Sequence, residues 1–281
     1  MNIKELINEY IKNGYGVLEA EAKVCQDIVL LLISSSKLSH NITIKGGVVI
    51  HSISNDLRRA TRDMDLDFIK YSLEDKSIIK FIEILNSINN EIKIEIKGVI
   101  KKLNHQDYDG KRVNIILQDK NGNKLKTKLD IGVHKQFNIE QDDYCFDLSI
   151  INKNVNLLVN SKEQIILEKI KSLLRLGFRS TRYKDLFDIY YLINNTQVDY
   201  KKLKEYFNII IFEDEKMREK NYIDVINRLK MIFNSNTYIN NLKDPKNNWL
   251  EISVQEVINC ILNFIVKLSE IDENIKNKIN V

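Results

Sequence analysis

The sequence predicts an α+β protein, with a mixed sheet and flanking helices in residues 1–160 followed by a helical bundle in residues 161–281. Three observations predict it. Segments with period-two and helical hydrophobic spacing alternate up to about residue 160, and from Ser161 onward only helical spacing remains. One proline and nine glycines in 281 residues lie well below the usual ~5% and ~7%, which favours long helices over a sandwich of tight turns. The length and the 43% hydrophobic content give ample material for buried cores, in one large domain or two modest ones.

In chain order, Asn2–Asn13 (Ile3, Leu6, Ile7, Tyr10, Ile11) and Glu19–Ser35 (Val24, Ile28, Leu31, Leu32) carry apolar residues at helical spacing and are separated near Gly14 and Gly16. Asn41–Lys45 is a short strand ending at Gly46-Gly47, and Val48–Leu57 is a helix. The strand Met64–Ile69 follows, then an amphipathic helix over Ser72–Asn89. Ile92–Ile96 alternates Ile with Lys or Glu, the mark of a half-buried strand. Arg112–Gln118 and Lys124–Val133 form a hairpin around Asn121-Gly122. Helices are expected at Ser161–Leu176, Arg182–Ile193, Lys201–Phe207, Asn221–Phe233 and Ile252–Leu268, with a frayed tail over Glu270–Val281. Ser161 with Gln164 fits an N-cap and its capping-box partner.

Composition narrows the function classes. With 43 basic and 39 acidic residues the net charge is +4, too small on its own to declare a nucleic-acid binder. The longest apolar run, Ile28–Ile33, is far shorter than the roughly 20 residues that span a bilayer, so no membrane association is expected. Met1–Lys12 alternates charged and apolar side chains without a signal-peptide pattern, so a soluble cytoplasmic protein is expected. Cys25, Cys145 and Cys260 lie more than a hundred residues apart, which suits a reducing compartment and argues against a zinc site or a disulfide framework.

Four stretches carry chemistry. In Lys45-Gly46-Gly47, between a strand and a helix, paired glycines let backbone N–H groups approach a phosphate, and the helix adds its positive end; an ordinary strand–helix turn has the same look. In Arg59-Ala60-Thr61-Arg62-Asp63-Met64-Asp65-Leu66-Asp67-Phe68, period two puts Asp63, Asp65 and Asp67 on one face and Met64, Leu66 and Phe68 in the core. Such close carboxylates repel unless cations neutralise them, so a hard divalent ion competes with a solvated acidic face on an edge strand. In Lys124–Ile131, Asp130 shares a face with Lys124, Lys126 and Lys128, and pairing with a lysine is the plainer alternative to a catalytic role. Finally, Asp185 and Asp188 share a helix face three residues apart, with Lys169 within reach on the preceding helix; an interhelical ion pair is the competing explanation.

Taken together, Lys-Gly-Gly, then Arg-x-Thr-x-Asp-x-Asp, then Lys169, then Lys184-Asp185-x-x-Asp188 resembles the AbiEii/AbiGii-type nucleotidyltransferases over roughly residues 40–192. These are toxins of bacterial toxin–antitoxin and abortive-infection systems, within the DNA polymerase β-like nucleotidyltransferase superfamily. The resemblance implies a nucleotidyltransferase-like domain over residues 1–160 and a helical domain over 161–281. It places Gly46 and Gly47 in the loop that holds the triphosphate. Asp63 and Asp65 become the paired metal-binding carboxylates, with Thr61 at the hydroxyl position two residues before them. Lys169 is matched to a lysine contacting nucleotide phosphates, and Asp185 to an acidic residue of the helical half that activity needs. Asp130 is assigned as third carboxylate and metal ligand by strand position. Lys45, Arg182, Lys184 and Asp188 are grouped with the nucleotide-binding residues. Val48 departs from the usual Thr or Ser after the glycines, and Asp67 makes the register of the metal pair ambiguous; Arg59 and Thr61 fix the count on Asp63 and Asp65.

The mechanism this implies uses two Mg²⁺ ions, with Mn²⁺ as the alternative, to reverse the sign of the carboxylate cluster toward an NTP. Asp130 helps deprotonate an acceptor hydroxyl that attacks the α-phosphorus. Lys169 with Arg182 or Lys184 steadies the β- and γ-phosphates in a cleft between the halves. The implied acceptor is an RNA end such as the tRNA 3′ end, and a cognate antitoxin is an implied partner. The lysines Lys124, Lys126 and Lys128, with Lys101-Lys102, are candidate phosphate contacts or plain solvated strand faces. Transfer to a small molecule such as an aminoglycoside or to a protein hydroxyl, a non-catalytic nucleotide-binding module, and a purely structural protein are the competing classes. His40 and His105 are expected in loops, His51 on the helix after the glycines, and His134 at the surface on the face of Asp130. Tyr190 and Tyr191 are expected as core or interface aromatics, and Trp249 as the anchor of the last helix.

Overall fold

Asn2 opens the first helix, its side-chain oxygen accepting the Lys4 N–H at 3.1 Å. Helix α1 (Ile3–Lys12) leads to α2 (Val17–Ser34), β1 (Ile42–Lys45), α3 (Gly47–Ser54), β2 (Met64–Phe68), α4 (Asp75–Asn86), β3 (Ile92–Ile96), β4 (Lys101–Leu103), β5 (Gly110–Asp119), β6 (Lys124–Val133), β7 (Gln141–Leu148) and β8 (Lys153–Asn160). Then come only helices: α5 (Lys162–Leu176), α6 (Lys184–Asn195), α7 (Tyr200–Phe207), α8 (Tyr222–Phe233), α9 (Asn236–Leu242) and α10 (Val254–Ile279). This computed structural model describes residues 1–103, 110–136 and 138–279. His105 and the last two residues of the tail lie outside the described residues. The chain divides into two compact units after Asn160, and the α+β class holds.

In the first unit the strands form one mixed sheet in the order β3-β5-β6-β2-β1-β8-β7, with β4 also pairing β5. Strand β2 is interior, antiparallel to β1 and parallel to β6. Alternation sorts the two faces of the sheet. Ile42, Ile44, Leu66, Phe68, Leu129 and Ile131 share the apolar face, and all are buried. Helix α4 covers part of it, Phe81 meeting Phe68 edge to face at 5.4 Å. The opposite face carries Thr43, Lys45, Asp65, Asp67, Arg112 and Asp130. Helices α1 and α2 are fastened by Asp27, fully buried, which accepts from both Tyr10 Oη and Lys23 Nζ. Burial raises the Asp27 carboxyl above its ordinary value, against the pull of Lys23.

Several expectations need correction. The hairpin β7–β8 had no sequence assignment, although Tyr144, Phe146, Leu148 and Val155, Leu157, Val159 alternate in period two. Its turn uses neither Gly nor Pro; Asn152 takes the left-handed conformation at φ 54°. Helix α3 stops at Ser54, because Asn55 at φ 51° ends it in a left-handed cap. Helix α4 covers less than Ser72–Asn89. The seven-residue α9, capped by Ser235, is too short to show a helical period. The expected last helix and frayed tail are one continuous helix to Ile279.

Ser161 does cap α5, its Oγ accepting the Gln164 N–H at 3.2 Å. Trp249 is buried at 1% exposure and donates from Nε1 to Asp188 on α6 at 3.1 Å. Tyr191 packs on its ring at 5.4 Å. Tyr190 donates to Glu256 on α10 at 2.5 Å. His134 is buried at 5%, not on the surface, with Nε2 3.1 Å from the Ile139 carbonyl. His40 falls in an exposed turn and His51 on α3.

Candidate active site

The register of three strands sets the site in the first unit. Lys45 pairs with Asp65 between β1 and β2, Asp65 with Asp130 between β2 and β6, and Asp130 with Arg112 between β6 and β5. Residues in register share a face, so two carboxylates stand side by side at one level of the sheet with a cation on either flank. Asp63 precedes β2 and Asp67 sits two residues further along it. Because β2 is interior, these acids do not form the solvated face of an edge strand.

Each neighbour has a definite partner. Arg112 grips Asp130 bidentately, Nε to Oδ1 at 2.7 Å and Nη2 to Oδ2 at 2.6 Å, and the hydrogen bonds to Asp130 raise the Arg112 pKa. Asp130 is 4% exposed, and its partner is this arginine, not a lysine. Lys128 lies 2.8 Å from Asp63. Lys45 is buried with its Nζ 2.8 and 2.9 Å from the two oxygens of Asp67, itself 5% exposed. The ammonium grouped by the sequence with nucleotide binding therefore neutralises a buried acid, and Asp67 is the carboxylate of the run committed to the interior.

The glycine pair is required by crowding. Gly46 has φ 69° and ψ −142°, a region that side chains other than hydrogen rarely enter. A Cβ there would sit 2.5 Å from Asp65 Oδ2, and one at Gly47 would sit 2.8 Å from Thr61 Oγ1. The turn into α3 thus lies directly against the two side chains singled out in the Thr-x-Asp-x-Asp motif. The first N–H groups of α3 have no intrahelical partner and carry its positive end. Gly46→Ala is expected to lower transfer at least ~10-fold and to destabilise by about 1–3 kcal/mol through backbone strain. Gly122→Ala is the comparator, since Gly122 also has positive φ but open space around it. Equal activity of the two variants in a labelled-nucleotide assay would remove the crowding argument.

In the second unit, Lys169 on α5 meets α6. Its Nζ lies 2.5 Å from Asp185 Oδ1 and 2.9 Å from Asp188 Oδ2. Arg182 Nε is 2.8 Å from Asp185 Oδ2, and Asp188 also accepts from Trp249. Lys169 and Asp188 are 5% and 0% exposed. Two cations and two carboxylates make a self-neutralising cluster across a helical hairpin. Lys184 opens α6 and is half-buried. Tyr238 is fully buried nearby, its phenol raised first by burial and then by the Asp185 charge.

The structure therefore gathers Lys45, Gly46, Gly47, Thr61, Asp63, Asp65 and Asp130 in the first unit and Lys169, Arg182, Asp185 and Asp188 in the second. Arg112 is the partner of the acids that the sequence did not single out, and Lys128, one of the lysines offered to Asp130, pairs with Asp63 instead. Among the described residues no three His, Cys, Asp or Glu side chains converge as a preformed metal cage. Mg²⁺ ordinarily takes one or two carboxylates and completes its shell with water and substrate phosphate. The hard oxygens of Asp65 and Asp130, in register on adjacent strands, suit that habit. Each Asp130 oxygen gives one lone pair to Arg112 and keeps another.

Paired acids in register on adjacent strands thus stand next to a glycine turn at a helix start. The family model described as "Nucleotidyl transferase AbiEii toxin, Type IV TA system" matches residues 29–244, more than half of the chain. The chain belongs to this family of nucleotidyltransferase toxins, whose type IV toxin–antitoxin context implies a nucleotide substrate and an antitoxin partner. No curated protein sequence matches it. Among the described residues no helix is long and apolar enough to cross a membrane.

Proposed function

We propose that the chain transfers an NMP from an NTP to a hydroxyl at an RNA end, the tRNA 3′ end being the favoured acceptor, in a metal-dependent reaction. The observation that carries this is the in-register pair Asp65 and Asp130 beside the Gly46-Gly47 turn. Asp63, Asp65 and Asp130 would hold Mg²⁺, or Mn²⁺ in its place. The bound metal supplies positive charge that offsets the triphosphate and the departing pyrophosphate. The free N–H groups at the start of α3 donate to phosphate oxygens, and the Thr61 hydroxyl lies against the same turn. Arg112 fixes the rotamer of Asp130 through both oxygens, so that one Asp130 oxygen accepts the proton of the attacking hydroxyl. Lys126 and Lys128 lie on the Asp130 face of β6, which favours a polyanionic acceptor over a cationic drug.

Incubation of the protein with each α-labelled NTP, Mg²⁺ and either total RNA, a protein extract or an aminoglycoside tests the reading. The expected result is label in the tRNA band, removed by EDTA. Label confined to protein or to the drug would overturn the RNA acceptor, and no transfer to any acceptor would overturn the catalytic reading.

A further inference from the structure

A pocket of about 750 Å³ opens in the first unit beside Asp63, within the size range of small-ligand sites. Its walls come from the start of α2, the segment between β3 and β4, and the strands β5 and β6. Five cationic side chains line it (Arg62, Lys97, Lys101, Lys126 and Lys128) against two carboxylates, Glu21 and Asp63. Arg62 is paired with Glu19 and Lys128 with Asp63. Among the described residues Lys97, Lys101 and Lys126 have no ion-pair partner, and all three are exposed. Leu18, Ala22, Val99 and Ile115 supply apolar surface between the charges, Leu18 and Val99 at 53% and 73% exposure.

Unpaired lysines around an apolar floor meet both demands of a single nucleic-acid strand, whose bases seek apolar contact and whose phosphates seek cations. The pocket also lies on the opposite side of β2 from the glycine turn. Gly46 and Gly47 follow β1, on one flank of β2, whereas β6 and β5 succeed one another on the other flank. A triphosphate at the glycine turn and a strand in the pocket would meet across the acids of β2.

We propose that this pocket receives the terminal nucleotides of a single-stranded RNA acceptor. The terminal base rests on Leu18 and Val99, Lys97, Lys101 and Lys126 hold the backbone phosphates, and the terminal hydroxyl points past Asp63 toward Asp130. This rests on the RNA reading above and adds to it a place and a polarity for the acceptor.

The test is binding of a fluorescent single-stranded RNA 12-mer to the full chain by anisotropy, without NTP, for the parent and for Lys101→Glu/Lys126→Glu. Both side chains are exposed strand residues, and a melting curve confirms the variant's fold. The double variant is expected to weaken RNA binding at least ~10-fold and to flatten the salt dependence, by a slope of about 0.7 for each phosphate no longer neutralised. Its affinity for Mg²⁺–NTP, measured by equilibrium dialysis, should stay within about twofold. Undiminished RNA binding, or no RNA binding by the parent, would overturn the proposal; so would a loss of NTP affinity as large as that of RNA, which would assign the pocket to the donor. Because the readout is binding, a failure of RNA transfer by the parent would sink the acceptor reading separately.

Discussion

Asp65→Asn is expected to reduce nucleotide transfer by ~10³-fold or more, a loss of about 4 kcal/mol of transition-state stabilisation, with little change in stability. Asn keeps the size of Asp65 against the Gly46 turn but removes the charge. Asp65 stands in register with Asp130 on the adjacent strand, and like charges at paired positions destabilise a sheet. Neutralising one relieves that repulsion while it weakens the attraction to the flanking cations, and the two changes offset, so the melting temperature should move by no more than about 4 °C. Asp67→Asn is the contrasting variant. Asp67 is the buried partner of Lys45, and losing its charge takes from that buried ammonium the carboxylate it contacts through both oxygens, at a cost of about 3–5 kcal/mol. A labelled-NTP assay and a thermal melt on both variants decide the register of the acidic run. Near-parental transfer by Asp65→Asn would sink the assignment, as would a melt that falls as far as that of Asp67→Asn.

That contrast also shows which parts of the site were legible in the residues. Period two placed Asp63, Asp65 and Asp67 on one face; the structure keeps Asp65 and Asp67 on one face of β2, with Asp63 just before the strand. The period did not distinguish them, because a face assignment carries no information about neighbours. Asp67 meets the ammonium of Lys45 from β1, and Asp65 meets Asp130 because β6 runs parallel beside β2. Such register between strands distant in sequence is set by the whole sheet. Arg112 was hidden for the same reason. It begins a stretch read as an ordinary hairpin strand, and its value lies in facing Asp130 across β5 and β6.

Local signals were surer where one short-range cause decides the structure. The Ser161 cap, the Asn121-Gly122 hairpin and the strand–glycine–helix junction each follow from the chemistry of a few adjacent residues. The hairpin β7–β8 escaped because its turn relies on Asn152 in a left-handed conformation, with no Gly or Pro to mark it. The hydrogen-bond partner of Trp249 escaped because Asp188 is 61 residues away.

Lys169→Met should destabilise the helical unit by about 3–5 kcal/mol, since it leaves the carboxylates of Asp185 and Asp188 beside one another without their shared ammonium. Asp188 is fully buried and Lys169 nearly so, so water cannot take over the lost charge cheaply. Adding Asp188→Asn should restore much of the loss. The amide oxygen of Asn still accepts from Trp249 Nε1, while the buried negative charge is gone. Lys169 was expected from the resemblance to contact nucleotide phosphates, and the two roles predict different measurements. If the ammonium acts chiefly as the tie between α5 and α6, urea unfolding of Lys169→Met shifts to lower midpoint and the double variant recovers it. If it acts chiefly on the nucleotide, the unfolding midpoint stays in place, KM for NTP rises, and Asp188→Asn rescues nothing. With Lys169 Nζ at 2.5 and 2.9 Å from two carboxylates, the first outcome is the one the cluster's charge balance requires.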